Sequence, residues 1–197
     1  MSPSEQAVLV LLADGTEEME FTIVTDVLRR GGIEVVVAGL DGERAVTCSR
    51  GVRILPDISL ERLTQAGRAF DLIVLPGGGE GSQRFADSKI LGDLLRRQEH
   101  AGRGIAAICA APLALARHGI GVGARLTAYP SCREELAGHG RWDDAPVVES
   151  GHLVTSRGPG TAFEFAFALL RRLCGAAAAE AVRAPMHFAV PGESLDA

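Results

Sequence analysis

Apolar runs the length of a strand alternate along this chain with segments whose apolar residues recur at helical spacing. Strand-like runs read at 7–13, 33–39, 71–75, 104–108 and 125–128, and helical segments at 17–30, 89–101, 112–118, 131–137 and 160–174. A strand apolar on both faces has to be covered on both faces. The pattern therefore predicts an α/β fold, a mostly parallel sheet with helices on each side. Two pairs of short segments, 45–48 with 52–55 and 147–149 with 153–156, read as antiparallel additions joined by glycine-containing turns, and alanine-rich 176–184 reads as one more short helix.

The 197 residues suffice for one domain that buries roughly 70% of its unfolded surface. No repeat or compositional break marks a second, so the expectation is a single domain over 1–197, with a core at about 7–185 and a mobile tail at 186–197. A formal net charge of -5, with scattered arginines, argues against a nucleic-acid partner. Cys48, Cys109, Cys132 and Cys174 form no C-x-x-C pair and have no histidine at ligand spacing, so no metal and no disulfide framework is expected. Reduced thiols fit the cytoplasm. The first residues lack the features of a secretory signal, and no run nears the ~20 apolar residues that cross a bilayer.

In an open parallel sheet, ligands bind where strands end and loops lead into helices. Three such loops here carry chemistry. The run from Gly104 to Ile108 delivers Cys109 to a strand-to-helix corner, where the amide hydrogens of a helix start are expected to lower a thiol's pKa; the competing reading is a buried structural cysteine. After the first strand come Glu17, Glu18 and Glu20. The first two fit a solvated first turn, whereas Glu20 shares a face with Val24, Val27 and Leu28, where burial raises a carboxyl pKa. After the third strand, Pro76 to Gly81 is glycine-rich but lacks a phosphate-loop lysine, so it reads as backbone donors for an oxyanion. Arg157, in a second glycine-rich stretch, is a candidate cation for an anionic substrate. The five histidines stand in no motif.

Four segments together resemble the ThiJ/PfpI superfamily, specifically its parkinsonism-associated deglycase branch: Glu17 to Glu20, Val74 to Gly78, Ala106 to Ala110 and Thr155 to Thr161. The likeness runs from about residue 7 to about residue 185, with the motifs in family order. The resemblance implies a flavodoxin-like sandwich, a homodimer, Cys109 in a strained nucleophile elbow and Glu20 as its protonated partner. It also implies Gly77, Gly78 and Ala110 as backbone donors near the sulfur, a pocket that includes Arg50, Arg157, Tyr129 and Pro159, and Arg30 reaching in from a partner subunit. Family members act on glyoxals and glycated adducts, as oxidation sensors and as chaperones.

Three positions depart from the family pattern. Tyr129 stands where many relatives have histidine, and a phenol with a pKa near about 10 is a poor base, which leaves proton transfer to Glu20. Ala110 replaces the histidine of the protease-type branch, so no peptidase is expected, and Gly79 replaces a polar side chain. The leading expectation is a cofactor-independent glyoxalase or deglycase acting on methylglyoxal, glyoxal or their adducts. A redox sensor or chaperone using an oxidisable Cys109, and a binding domain without turnover, are the alternatives.

Overall fold

The computed structural model describes residues 6–188. In chain order the elements are β1 (Ala7–Leu12), α1 (Glu18–Arg30), β2 (Glu34–Gly39), β3 (Val46–Thr47), β4 (Arg53–Ile54), β5 (Ile58–Ser59), α2 (Leu60–Gln65), β6 (Leu72–Leu75), α3 (Gly79–Asp87), α4 (Lys89–His100), β7 (Gly104–Ile108), α5 (Pro112–His118), β8 (Arg125–Leu126), β9 (Arg141–Trp142), β10 (Val147–Ser150), β11 (Leu153–Ser156), α6 (Ala162–Cys174) and α7 (Ala176–Arg183).

Seven strands form one sheet in the order β10-β11-β7-β6-β1-β2-β5, parallel except for the β10–β11 hairpin at one edge. The central strands explain the unbroken apolar runs. Along β1, Val8, Val10 and Leu12 enter the core beneath α1 and α6, while Leu9 and Leu11 enter the opposite core beneath α2 to α5. Side chains alternate along a strand, so every position of β1 meets a packed layer and all six residues are buried. Because β7, β6 and β1 are neighbours, the ends of these three strands open side by side.

The structure departs from the sequence expectations in several places. The strand expected at 125–128 contributes only Arg125 and Leu126, and they pair with β9 outside the main sheet. Its continuation is drawn off when the Thr127 amide donates to the Thr155 hydroxyl at 2.9 Å. The helix expected at 131–137 is a 3-10 turn at Pro130–Cys132 followed by further turns, with only Cys132 and Leu136 buried in it. Pro76 to Gly81 is not wholly a loop, since α3 begins at Gly79; two glycines, weak helix formers, concealed it. The 153–156 segment is not a peripheral addition, because it extends the main sheet beside β7. Helix α2, capped by Ser59, and β5 were not anticipated. Of the expected tail, 189–197 lies outside the described residues, and Ala184–Met186 form a 3-10 turn.

Gln98 shows how α4 is fixed to the sheet. Its buried amide nitrogen donates to the Phe70 carbonyl at 3.0 Å and the Gly104 carbonyl at 3.1 Å, just before β6 and at the start of β7. Gln98→Leu leaves both carbonyls without this donor. Urea unfolding is expected to show a loss of about 2–4 kcal/mol.

Candidate active site

Cys109 is the residue on which the site turns. It follows β7 directly and holds φ at 64°, a left-handed conformation uncommon for a residue with a side chain. The backbone on both sides fixes that turn: the Cys109 amide donates to the Ser156 carbonyl at 3.0 Å, and its carbonyl accepts from the Tyr129 amide at 2.8 Å. The side chain packs at the edge of the core beneath α1, half-buried rather than sealed in.

Glu20 reaches the same point from α1. It is fully buried, as are Val24, Val27 and Leu28 on its face of the helix, in agreement with the sequence pattern. Its Oε2 accepts from the Gly77 amide at 2.7 Å, and the carboxyl lies beside Cys109 across Gly77. Oε1 is buried without a hydrogen-bonding partner among the described residues. Burial pushes the Glu20 pKa up to about 7, against the opposing pull of the Gly77 amide and the thiol.

The thiol behaves differently from the sequence expectation. Burial, reinforced by the negative charge of Glu20, pushes Cys109 up to about 12, and the amides of Gly78 and Ala110 oppose that rise. Helix α5 runs from Pro112 to His118 as expected, but its start does not lower the thiol. The amide that reaches the sulfur from a helix end is that of Gly78, the residue capping α3. Two acids in contact in a buried site cannot both ionise cheaply, so the pair gives up one proton near pH 7 and holds the second until about 12.

The glycines permit this close approach. A Cβ on Gly77 would meet Cys109 Cβ at 2.5 Å and Glu20 Oε2 at 2.7 Å. Gly78, at φ 93°, has no room either, since its Cβ would lie 2.1 Å from the Gly15 carbonyl. Of the three expected donors, Gly78 and Ala110 address the sulfur, whereas the Gly77 amide is directed to Glu20.

Glu17 and Glu18, expected in a solvated turn, are buried. The Ser49 hydroxyl bonds both, at 2.7 and 2.8 Å, and Glu18 also accepts from the Arg50 amide at 2.8 Å. Although burial works against it, Glu18 is held below the ordinary carboxylate range by its own amide, the Ser49 hydroxyl and the amides of Arg50 and Val52. These two acids tie the β3–β4 hairpin to the start of α1. Ser49 carried no signal in the sequence, being one serine in a turn.

The remaining expected pocket residues divide. Tyr129 stands beside the elbow, about half-exposed, its ring close enough to Gly158 that a Cβ there would meet it at 3.3 Å. Pro159 opens the adjacent 3-10 turn. Arg157 bonds the Asp144 carbonyl at 3.3 Å, and Arg50 bonds the Ser49 carbonyl at 3.2 Å, so in this structure both guanidiniums engage neighbouring backbone. Arg30 lies ten residues beyond Glu20 on α1, about 15 Å along the helix, and pairs with Asp26. Within one chain it does not reach the site. Among the described residues no cluster of His, Cys, Asp and Glu could hold a metal ion. A groove of about 910 Å³ between α6, α7 and β10 contains none of these residues.

The model of the DJ-1/PfpI family matches residues 6–172. The chain belongs to that family. It is 54% identical over 171 residues to protein dj-1beta of Drosophila melanogaster, covering 86% of this chain and 90% of that one. It is 47% identical to the Parkinson disease protein 7 homolog of Danio rerio, over 90% and 95% of the two chains. To the glutathione-independent glyoxalase DJR-1.2 of Caenorhabditis elegans it is 37% identical, over 96% and 100%. The crystal structure of Drosophila melanogaster DJ-1beta superposes with a TM-score of 0.91 at 51% identity, covering 94% of this chain and 99% of that one. This DJ-1/PfpI chain accordingly has the flavodoxin-like fold of its structural relatives.

The raised carboxyl has a consequence for stability. Glu20 binds its proton more tightly when folded than at the model value of 4.5, so folding stability falls as pH rises from about 4.5 to about 7 and stays lower above that. Glu20→Gln removes that dependence. Relative to the parent, the variant is expected to gain up to about 3 kcal/mol between pH 4.5 and pH 8 in denaturant titrations at the two pH values.

Proposed function

We propose that this chain is a cofactor-independent glyoxalase or deglycase that converts methylglyoxal, glyoxal or their adducts to hydroxy acids, with Cys109 as nucleophile and Glu20 as proton carrier. The observation that carries this reading is the placement of fully buried Glu20 beside Cys109, both crowded against Gly77, at the end of β7. When the pair holds a single proton, that proton can sit on either partner. On Glu20, it leaves a thiolate facing two amides and the carboxyl O–H. On Cys109, it leaves a carboxylate with the Gly77 amide and the thiol as donors. The first form is the one that reacts, and the two amides and the carboxyl O–H stabilise the thiolate as it forms.

With methylglyoxal, the thiolate attacks the aldehyde carbon, forming a C–S bond, and Glu20 gives its proton to the resulting oxyanion. Glu20 then carries a proton from the former aldehyde carbon to the ketone side through an enediol, which leaves a lactoyl thioester on Cys109. Water hydrolyses the thioester, releasing lactate and restoring the thiol. One carbon is oxidised and its neighbour reduced by the same two electrons, so the cycle closes without an external oxidant or cofactor. The Caenorhabditis elegans relative, named as a glutathione-independent glyoxalase, supports the same chemistry.

A homodimer in the reducing cytoplasm fits this reading. Met19, Val52 and Leu55 are 53%, 50% and 69% exposed, and Met19 and Val52 flank the Glu18 clamp, apolar side chains that a second copy would cover. The four cysteines are free thiols. Arg30 joins the site only if a partner supplies it.

Lactate formation from methylglyoxal, followed enzymatically, tests the assignment. Cys109→Ala is expected to abolish it, and Glu20→Gln to lower kcat by about 10²–10⁴-fold. Unchanged turnover in the cysteine variant would end the proposal.

A further inference from the structure

The left-handed turn at Cys109 leans on a segment that belongs to no strand. A residue held at φ 64° keeps that conformation only while its surroundings fix the backbone on both sides of it. On the amide side the tie is the carbonyl of Ser156, the last residue of β11, whose ladder with β7 extends to the Ser156–Ile108 pair. On the carbonyl side the tie is the Tyr129 amide, at 2.8 Å. Tyr129 lies beyond the end of β8, whose pairing with β9 stops at Leu126, so Thr127 to Tyr129 have no ladder to hold them.

Thr155 supplies the hold. Its hydroxyl accepts from the Thr127 amide at 2.9 Å, in the place a strand carbonyl would take, and both threonines are fully buried. A hydroxyl in the middle of a sheet costs free energy unless it is paired, and an apolar β-branched residue would pack there without that cost. The Thr127 amide accounts for its presence, since without this acceptor it would be a buried donor with no partner. Ser156, next in the strand, faces the other way. Its hydroxyl donates to the Pro146 carbonyl at 2.8 Å and meets the Thr161 hydroxyl at 2.7 Å, so the end of β11 carries one buried hydroxyl for each of the two loops that flank Cys109.

We infer that Thr155 is a positioning residue for the reaction at Cys109: acting through Thr127 and Tyr129, its hydroxyl maintains the left-handed turn that keeps the sulfur beside Glu20. This role rests on the carbonyl chemistry proposed above and adds to it a residue that touches no substrate. With the acceptor removed, the Thr127 to Tyr129 segment relaxes, the turn is tied on its amide side alone, and the sulfur moves away from Glu20 and the Gly78 amide. Substrate loses no contact of its own, so the penalty falls on kcat and not on KM.

Thr155→Val keeps the branched shape and deletes the acceptor, whereas Thr155→Ser keeps the acceptor and deletes a methyl. In the lactate assay on the full chain, the valine variant is expected to lose about 10–100-fold in kcat with KM within about twofold of the parent, and the serine variant to recover most of the loss. Should the valine variant fail to fold, Thr155→Ala takes its place. Thr25→Val removes a buried hydroxyl that has no partner among the described residues, and is expected to leave both constants unchanged. Alkylation of Cys109 by iodoacetamide at about pH 8, read by peptide mass, follows the turn without turnover and is expected to slow about fivefold or more in the valine variant and to recover in the serine variant. Parental alkylation in the valine variant, a loss carried by KM, or a serine variant as impaired as the valine one would overturn the inference. A parent that forms no lactate yet shows the alkylation pattern keeps the positioning role and removes the enzyme.

Discussion

A carboxyl and a thiol share one buried position at the mouth of this sheet, and the rest of the site is arranged around the proton between them. Neither group is placed by its own segment alone. Glu20 arrives on the inward face of α1 among Val24, Val27 and Leu28, so the packing that buries the helix also desolvates the acid. Cys109 arrives at the end of β7 in a left-handed turn that the Ser156 carbonyl and the Tyr129 amide hold from either side. Gly77 and Gly78, which have no room for a side chain, let the two meet.

The fold supplies the rigidity this requires. Three neighbouring strands end together, and backbone bonds join their loops: Gly15 to Thr47, Glu17 to Gly77 and Ser49 to Thr16. Asp14 extends the same network, accepting from Arg44 and from the Thr47 amide. The acids buried at the start of α1 therefore serve two purposes. Glu17 and Glu18 fasten a hairpin, while Glu20 faces the sulfur. The donors for these acids come from elsewhere in the chain, so losing Ser49 would leave two buried carboxylates without their shared hydroxyl.

The central sheet was legible in the sequence because β1, β2, β6 and β7 are apolar on both faces, a pattern that few other arrangements satisfy. Glu20 was legible for a related reason, since a helical period places it on a packed face. Helix α3 was hidden by its own glycines, and the 131–137 turns imitated a helix through a polar, capped composition without an apolar stripe. The direction of the thiol shift was misread from sequence because the burial of Cys109 and the charge of Glu20, both set by how distant elements pack, outweigh the amides that oppose them. Ser49 gave no local sign, its significance depending on which elements meet.

The central claim is that above about pH 7 the pair holds one proton, and that the form in which Glu20 carries it, leaving a thiolate, is the one that reacts. The rate of Cys109 alkylation by iodoacetamide as a function of pH, read by peptide mass so that Cys48, Cys132 and Cys174 are excluded, tests it most directly. The account predicts a single rise near pH 7 followed by a plateau, below the midpoint of about 8.5 for free cysteine. A rate that stays negligible at neutral pH and keeps climbing through pH 10 would show that no reactive thiolate forms when Glu20 takes up the proton, and would contradict it.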